Sequence, residues 1–313
     1  MKLIDLHCDT AMKMMEDPTQ HLAKNSLSID LEKLAQAESM AQVFAIFIDL
    51  ETIKESPIKA GFAMLDHFWK ELEQNADKIK FAANGGEIRT NEMQGKKSAL
   101  LAIEEGAVLE GQMGNLHGFY RQGVRFITLT WNYPNEIGFP HGKEHGAKGL
   151  TPFGLEVVEE MNRIGMMVDV SHLSEGGFWD VCKNSKTPFM ATHSNCQALK
   201  DHTRNLTDDQ IRGLAEKGGV MGISVVKNFL MEGEDDGRLE AMVNHIRHAH
   251  KVGGIDVVSI GTDFDGTSTN HEFSTIGDLQ KLTKRLQEVG YSEDELEKIY
   301  WRNALRVINQ VLT

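Results

Sequence analysis

Short apolar runs alternate with longer amphipathic stretches along the whole chain. The runs at 3–7, 41–48, 99–104, 125–131, 166–172, 189–193, 220–225 and 257–263 are brief and almost continuously apolar, which predicts strands covered on both faces. Between them the apolar positions recur with helical spacing over 30–37, 60–75, 113–122, 152–164, 175–182, 207–216 and 239–252, and two more helices, 278–289 and 292–311, follow the last strand. A strand-then-helix unit repeated eight times predicts a closed parallel (β/α)8 barrel of the TIM type. No linker-like segment divides the chain, so residues 1–313 read as one domain, with the helices from about 278 to 313 packed on the barrel.

Local chemistry marks the helix ends. Thr151-Pro152 places a capping residue before a proline at the first helical position, Ser292 and Glu295 form the two ends of a capping box, and Thr207-Asp208-Asp209 puts acids in a first turn. Gly123, Gly165, Gly218, Gly219, Gly253 and Gly254 stand where helices end and the chain needs a positive φ. The longest irregular stretch, 132–150, is rich in Gly, His and Pro, and a long loop after a barrel strand is a place for function.

Composition narrows the partners. A formal charge of −13 with no basic cluster argues against nucleic acid and anionic membrane surfaces. No apolar run is long enough to span a bilayer, and a strand begins directly after Met1, leaving no room for a secretory signal. Three widely spaced cysteines, Cys8, Cys182 and Cys196, suggest reduced thiols and a cytoplasmic protein.

Barrel enzymes place their chemistry at the C-terminal ends of the strands. There the sequence offers His7 and Asp9, then Glu104 and Glu105, His172, His193 and Asp263. His7 and Asp9 are two apart and share a face, whereas Cys8 between them has the opposite parity and reads as a packing residue. So many nitrogen and oxygen donors at one rim point to a metal site. Glu105, adjacent to Glu104 but on the other face, reads as a supporting or solvated group, and His245, His248 and His250 read as the solvated face of a late helix. The last helix carries an apolar stripe, Leu296, Ile299, Tyr300, Leu305, Ile308 and Leu312, suited to closing the barrel or meeting a second subunit.

The chain resembles the membrane (renal) dipeptidases, zinc hydrolases of the amidohydrolase superfamily. The likeness rests on Ile4-Asp5-Leu6-His7-Cys8-Asp9-Thr10, on Ile103-Glu104, on the segments Gly123 to Thr130 and Gly149 to Gly154, on Val168-Asp169-Val170-Ser171-His172, on Thr192-His193-Ser194, on Arg204-Asn205 and on Gly261 to Gly266. It implies a two-zinc site with His7 and Asp9 on one ion, His172 and His193 on the other, and Glu104 bridging. A carboxylate has two oxygens and can span such a pair, and two zinc ions would lower the pKa of a shared water from 15.7 towards roughly 7, supplying hydroxide as nucleophile. Asp263 matches the family's proton-carrying acid, although Asp265 shares its parity; Arg204 resembles the arginine that grips the substrate's terminal carboxylate.

The pattern departs from the family at one point. Better-known members carry a histidine after the fourth strand, where this chain has Trp131; Asn132, His141 or His145 could take over its hydrogen bond, or Trp131 could narrow the pocket. The expectation is a zinc-dependent dipeptidase, possibly accepting a D-residue at the C-terminal position, and a homodimer. The alternatives are another binuclear amidohydrolase acting on an amide, lactone or phosphoester, for which the usual bridging lysine is missing at the strand ends, and a metal-binding barrel without catalysis.

Overall fold

The apolar runs lie side by side in one parallel sheet. A computed structural model, describing residues 1–233 and 236–312, shows β1 (Leu3–Cys8), β2 (Ser39–Phe47), β3 (Ile79–Phe81), β4 (Lys97–Glu104), β5 (Val124–Thr128), β6 (Met167–Asp169), β7 (Met190–Ala191), β8 (Val220–Ile223) and β9 (Val258–Ile260). Each strand of the series β2-β1-β9-β8-β7-β6-β5-β4 bonds its neighbour, and β2 also pairs with β4, so eight strands close into a (β/α)8 barrel. The ninth, β3, pairs only with the start of β4 and stands outside the ring. It and the helix Gly85–Met93 were not expected, because the strand has three residues of which only Ile79 is buried and the helix lacks an apolar stripe.

Alternating side chains fill the barrel. Ile4, Leu6, Leu100, Ala102, Phe126, Met167 and Val220 form one buried cluster with Leu305, Ile308 and Val311 of the helix Asn303–Val311, which plugs one end of the barrel. Leu3, Phe44, Leu101, Ile103 and Ile127 point the other way, under the helices. The expected helix over 292–311 is three pieces, Glu293–Glu297, a π turn at Lys298–Arg302 and Asn303–Val311, and Asn303 at the junction donates to the carbonyls of Ile255 and Val258 at 2.8 and 2.9 Å. The capping box at Ser292 and the cap at Thr151 form, and Thr207, ahead of the expected acids, forms a further capping box with Gln210. Of the glycines expected at positive φ, Gly123, Gly165, Gly218 and Gly254 adopt it; Gly219 and Gly253 do not.

Five strands end two or three residues earlier than the sequence suggests, β5 at Thr128 and β8 at Ile223 among them. β6, β7 and β9 stop at Asp169, Ala191 and Ile260, so His172, His193 and Asp263 stand on the loops beyond them. His172 and Asp263 take φ of +65° and +63°, a region non-glycine residues seldom occupy and which clusters at functional sites. His245 also departs from expectation. It is buried among Met242, Ile246 and Ala249 on the inner face of the helix Arg238–Gly253, accepts a bond from the Cys196 amide at 2.9 Å and donates to the Leu230 carbonyl at 3.0 Å. The partly buried His248 and His250 on the same helix contact Asp208 and Tyr291. Among the described residues no helix is long and apolar enough to cross a membrane.

Candidate metal centre

Glu104 ends β4 with the parity of interior Leu100 and Ala102, so its carboxylate stands in the mouth of the barrel, in register with Phe47 of β2 and Thr128 of β5. Its two oxygens face different donors. Oε2 lies 3.0 Å from His7 Nε2, which is itself 3.5 Å from Asp9 Oδ2, while Oε1 lies 3.1 Å from His172 Nε2 and 3.5 Å from His193 Nε2. All five side chains are buried. The five side chains therefore meet in one buried space, with the His193 ring 3.8 Å from that of His7 and 5.1 Å from that of His172 between centroids.

The hydrogen bonds around the imidazoles show which nitrogens are free. Asp169 is an acceptor and takes the Thr192 hydroxyl at 2.6 Å, so Thr192 Oγ1 accepts from His193 Nδ1 at 2.9 Å; His172 Nδ1 donates to Asn132 Oδ1 at 3.0 Å. Both rings then present bare Nε2 lone pairs, and these face each other at 3.0 Å beside the Glu104 oxygen. Lone pairs gathered in a buried space repel unless a cation lies among them. His7 Nε2 and Asp9 Oδ1 are likewise buried without a hydrogen-bond partner. Two orphaned donors and a cluster of converging lone pairs fit divalent cations held by nitrogen and oxygen ligands.

The charge states agree with this. Burial works against a proton on His172, Arg204 adds to the effect, and its pKa falls well below the usual imidazole range; burial and the nearby His7 bring His193 down to about 4. Both are ready as neutral ligands. Burial opposes charge on His7 too, but the Glu104 and Asp9 carboxylates outweigh it and hold its pKa well above normal, so an incoming cation would displace a proton there. Burial alone would raise Glu104, yet the charge on His7 beside it keeps it well below the ordinary carboxylate range.

A second row of groups, absent from the sequence reading, orients these ligands. Asp169 accepts from the Thr128 hydroxyl at 2.7 Å, the Ser171 amide at 3.0 Å and the Thr192 amide at 2.9 Å as well as the Thr192 hydroxyl, tying the His172 loop to the His193 loop. These bonds to a side chain take the place of ladder bonds, which is why β6 and β7 end early. Asp5 does the same for the other half, taking the amide and hydroxyl of Thr262, both at 2.7 Å, and Gln42 at 3.0 Å. The signal in the sequence was the Asp-x-x-His step at Asp169 and the Thr-His pair at 192–193. Thr192→Val removes the acceptor on which His193 Nδ1 relies while keeping its shape, and metal affinity measured by competition with a chelating dye is expected to fall by about 10- to 100-fold.

Asp263 joins His7 and Asp9, with one donor atom of each within 4.8 Å of the others. Asp265 is turned away, accepting from the Thr10 hydroxyl at 2.7 Å and the Ser28 amide at 2.8 Å. Only glycine fits at position 266, since a Cβ there would lie 2.1 Å from Asp9 Oδ2 and 2.6 Å from Asp263 Oδ1. Glu105, far from solvated, is wholly buried and braces the long loop by accepting from the amides of Ala107 and Trp131 and from Asn135 Nδ2. Asn132 Oδ1 accepts from His141 Nε2 at 3.1 Å as well as from His172, and the His141 amide donates to the His172 carbonyl at 2.6 Å, while His145 lies against Phe139 and Glu144.

Arg204 is buried beside this centre. Its Nη2 donates to the His193 carbonyl at 3.0 Å, its guanidinium lies 5.2 Å from the Phe229 ring centre, its Nε has no partner, and it makes no ion pair among the described residues. Burial lowers its pKa to about 10, which leaves it charged at neutral pH. A buried cation without an anion is costly, so the position suits an anionic ligand. A cavity of about 180 Å³ opens over Glu104 and His172 and is walled by Met12, Phe47, Trp131, Val226 and Phe229.

Comparison with known proteins places this geometry. The family model for membrane dipeptidases, peptidase family M19, matches residues 1–313. A protein of Klebsiella pneumoniae described as an uncharacterized protein in the pqqA 5' region is 34% identical over 264 residues, covering 79% of this chain and 97% of that protein. Dipeptidase tcpJ of Claviceps purpurea is 26% identical over 322 residues, with 99% of this chain and 75% of that one covered. Among solved structures, a metallopeptidase of family M19 described as dipeptidase AC superposes with a TM-score of 0.92 at 26% identity, covering 100% of this chain and 99% of that one. A metallopeptidase from Rhodobacter sphaeroides, liganded with a phosphinate mimic of the dipeptide L-Ala-D-Ala, gives 0.91 at 25% identity and 99% coverage of both chains.

Proposed function

This chain belongs to the membrane dipeptidase family, hydrolases acting on dipeptides, and from that premise we propose that it is a two-zinc dipeptidase whose ions are held by His7, Asp9, Glu104, His172 and His193. The observation that carries the reading is Glu104, with one oxygen turned to His7 and the other to His172 and His193. Held by these five residues, divalent cations would supply Lewis acidity to the peptide carbonyl and lower the pKa of water at neutral pH.

The chain's own residues do the rest. Arg204 receives the α-carboxylate of the C-terminal residue, which fixes the scissile bond over Glu104. Asp263, beside His7 and Asp9, takes the proton of the attacking water and returns it to the departing amine. Trp131 and Asn132 line the substrate's path, and Asn132 also holds His172 in the tautomer that leaves Nε2 bare. A D-configured C-terminal residue is accepted in this reading, supported by the L-Ala-D-Ala mimic in the Rhodobacter sphaeroides structure. We take the chain to be a single-domain, cytoplasmic homodimer; its three free cysteines accord with a reducing compartment, and light scattering reads the assembly.

The test pairs metal analysis with a panel of L,L and L,D dipeptides, each with free and amidated C-termini. Two zinc ions per chain and cleavage of free dipeptides alone are expected, with activity removed by a chelator and restored by zinc. Arg204→Met is expected to lower kcat/KM on free dipeptides by about 2–5 kcal/mol and to abolish the preference for a free terminus. Equal cleavage of free and amidated substrates by the native enzyme removes Arg204 from this role.

A further inference from the structure

The two sides of the 180 Å³ cavity come from opposite halves of the barrel, and that fixes which substrate residue meets which wall. Met12 follows β1, Phe47 ends β2 and Trp131 follows β5, whereas Val226 and Phe229 follow β8; Arg204, beyond β7, lines an adjoining cavity of about 590 Å³ that shares His172 with this one. With the terminal carboxylate on Arg204, the C-terminal residue lies by Phe229, and the N-terminal residue must reach across Glu104 to Met12, Phe47 and Trp131.

That far wall is rigid. The Trp131 ring packs edge-on against Phe47 at 4.8 Å between centroids and against Tyr133 at 5.4 Å, and its backbone amide is held by buried Glu105 at 3.1 Å. The space on this side is also small, below the range of about 300–1,000 Å³ usual for sites that enclose larger ligands, whereas the roomier cavity lies on the Arg204 side. Resting on the dipeptidase reading, we propose that Trp131 sets the size of the N-terminal residue, and that the substrates are dipeptides beginning with a small apolar residue such as glycine or alanine.

The test measures kcat/KM on two series, X-Ala and Ala-X, with X running through Gly, Ala, Leu and Phe. The native enzyme is expected to favour Ala-Ala over Phe-Ala by at least about tenfold, a discrimination within reach of an apolar pocket, and to be less selective along Ala-X. Trp131→Ala, whatever it does to the overall rate, raises the ratio of Phe-Ala to Ala-Ala by about tenfold, and Trp131→Phe raises it less. Bound zinc and the melting temperature, followed in parallel, show that both variants are folded and loaded. Equal native activity on Phe-Ala and Ala-Ala overturns the proposal, as does a change of the same size along Ala-X in the variant, while the dipeptidase reading stands. Failure of the zinc-loaded native enzyme to cleave any dipeptide overturns that reading and this proposal with it.

Discussion

Glu104→Gln is expected to leave between about a hundredth and a few ten-thousandths of the native kcat/KM and fewer than two bound ions per chain. The substitution keeps size and shape, so the fold around the end of β4 has no steric reason to change. What changes is that one carboxylate oxygen becomes an NH2 group. In either orientation that group is turned either towards His7 or towards the bare Nε2 atoms of His172 and His193, so one of the two donor sets loses its shared anionic ligand. Uncompensated charge at a buried site costs about 3–5 kcal/mol, and each 1.36 kcal/mol is a factor of ten in rate. The measurements are steady-state kinetics and metal stoichiometry on protein shown by circular dichroism to be folded. Native activity with two ions bound would mean that Glu104 is not the bridge.

Asp263→Asn carries the second large effect, in the opposite sense for rate and for stability. Its carboxyl, buried and facing Asp9 and Glu104, is held well above the usual carboxylate range. As the proposed proton carrier it supplies a step worth about 10²- to 10⁴-fold, so kcat is expected to fall by that much with KM little changed. The rate also loses the part of its pH dependence due to this group: in the native enzyme activity falls as the pH drops and Asp263 takes up its proton. Stability moves the other way. A carboxyl whose pKa is higher folded than unfolded lets the folded state bind more protons, so stability is lost as pH rises through that window. An amide has no such loss, and the metal-free variant is expected to melt at a higher temperature than the metal-free native chain at neutral pH. A slow variant that melts lower would point to a structural role for Asp263 in place of proton transfer.

The stability gain and the activity loss have one origin. His172 and Asp263 are held at positive φ, Gly266 is pressed against two carboxylates, and lone pairs face one another across the centre. Each of these is unfavourable in isolation and is over-determined by the surrounding hydrogen bonds of Asp5 and Asp169.

The barrel and a rim of polar donors were legible from sequence because both are written in local terms, whereas the choice of five ligands among those donors came only as what the family resemblance implies. Continuous apolar runs broken by amphipathic helices mean a covered parallel sheet, and polar donors at the ends of such runs mean a common rim. The geometry that makes the donors useful was not local. In β1 the interior residues Ile4 and Leu6 are even-numbered, so strict alternation would carry Cys8 inward and His7 out. The pairing of β1 with β2 shifts register between Asp5 and Cys8, and that irregularity brings His7 and Asp9 to the mouth while Cys8 joins the outer core. Only the tertiary structure decides such a slip, because its partners, Phe44 of β2 and Phe264 beyond β9, are far away in sequence. The same holds for Thr192, whose role depends on Asp169 across two strands, for Glu105, whose buried charge is balanced by a loop 30 residues on, and for Asp263 over Asp265, separated by which carboxylate Thr10 and Ser28 claim. Residue type and order along the chain chose the chemistry; long-range hydrogen bonds, which carry no periodic trace in the sequence, chose the side chain that performs it.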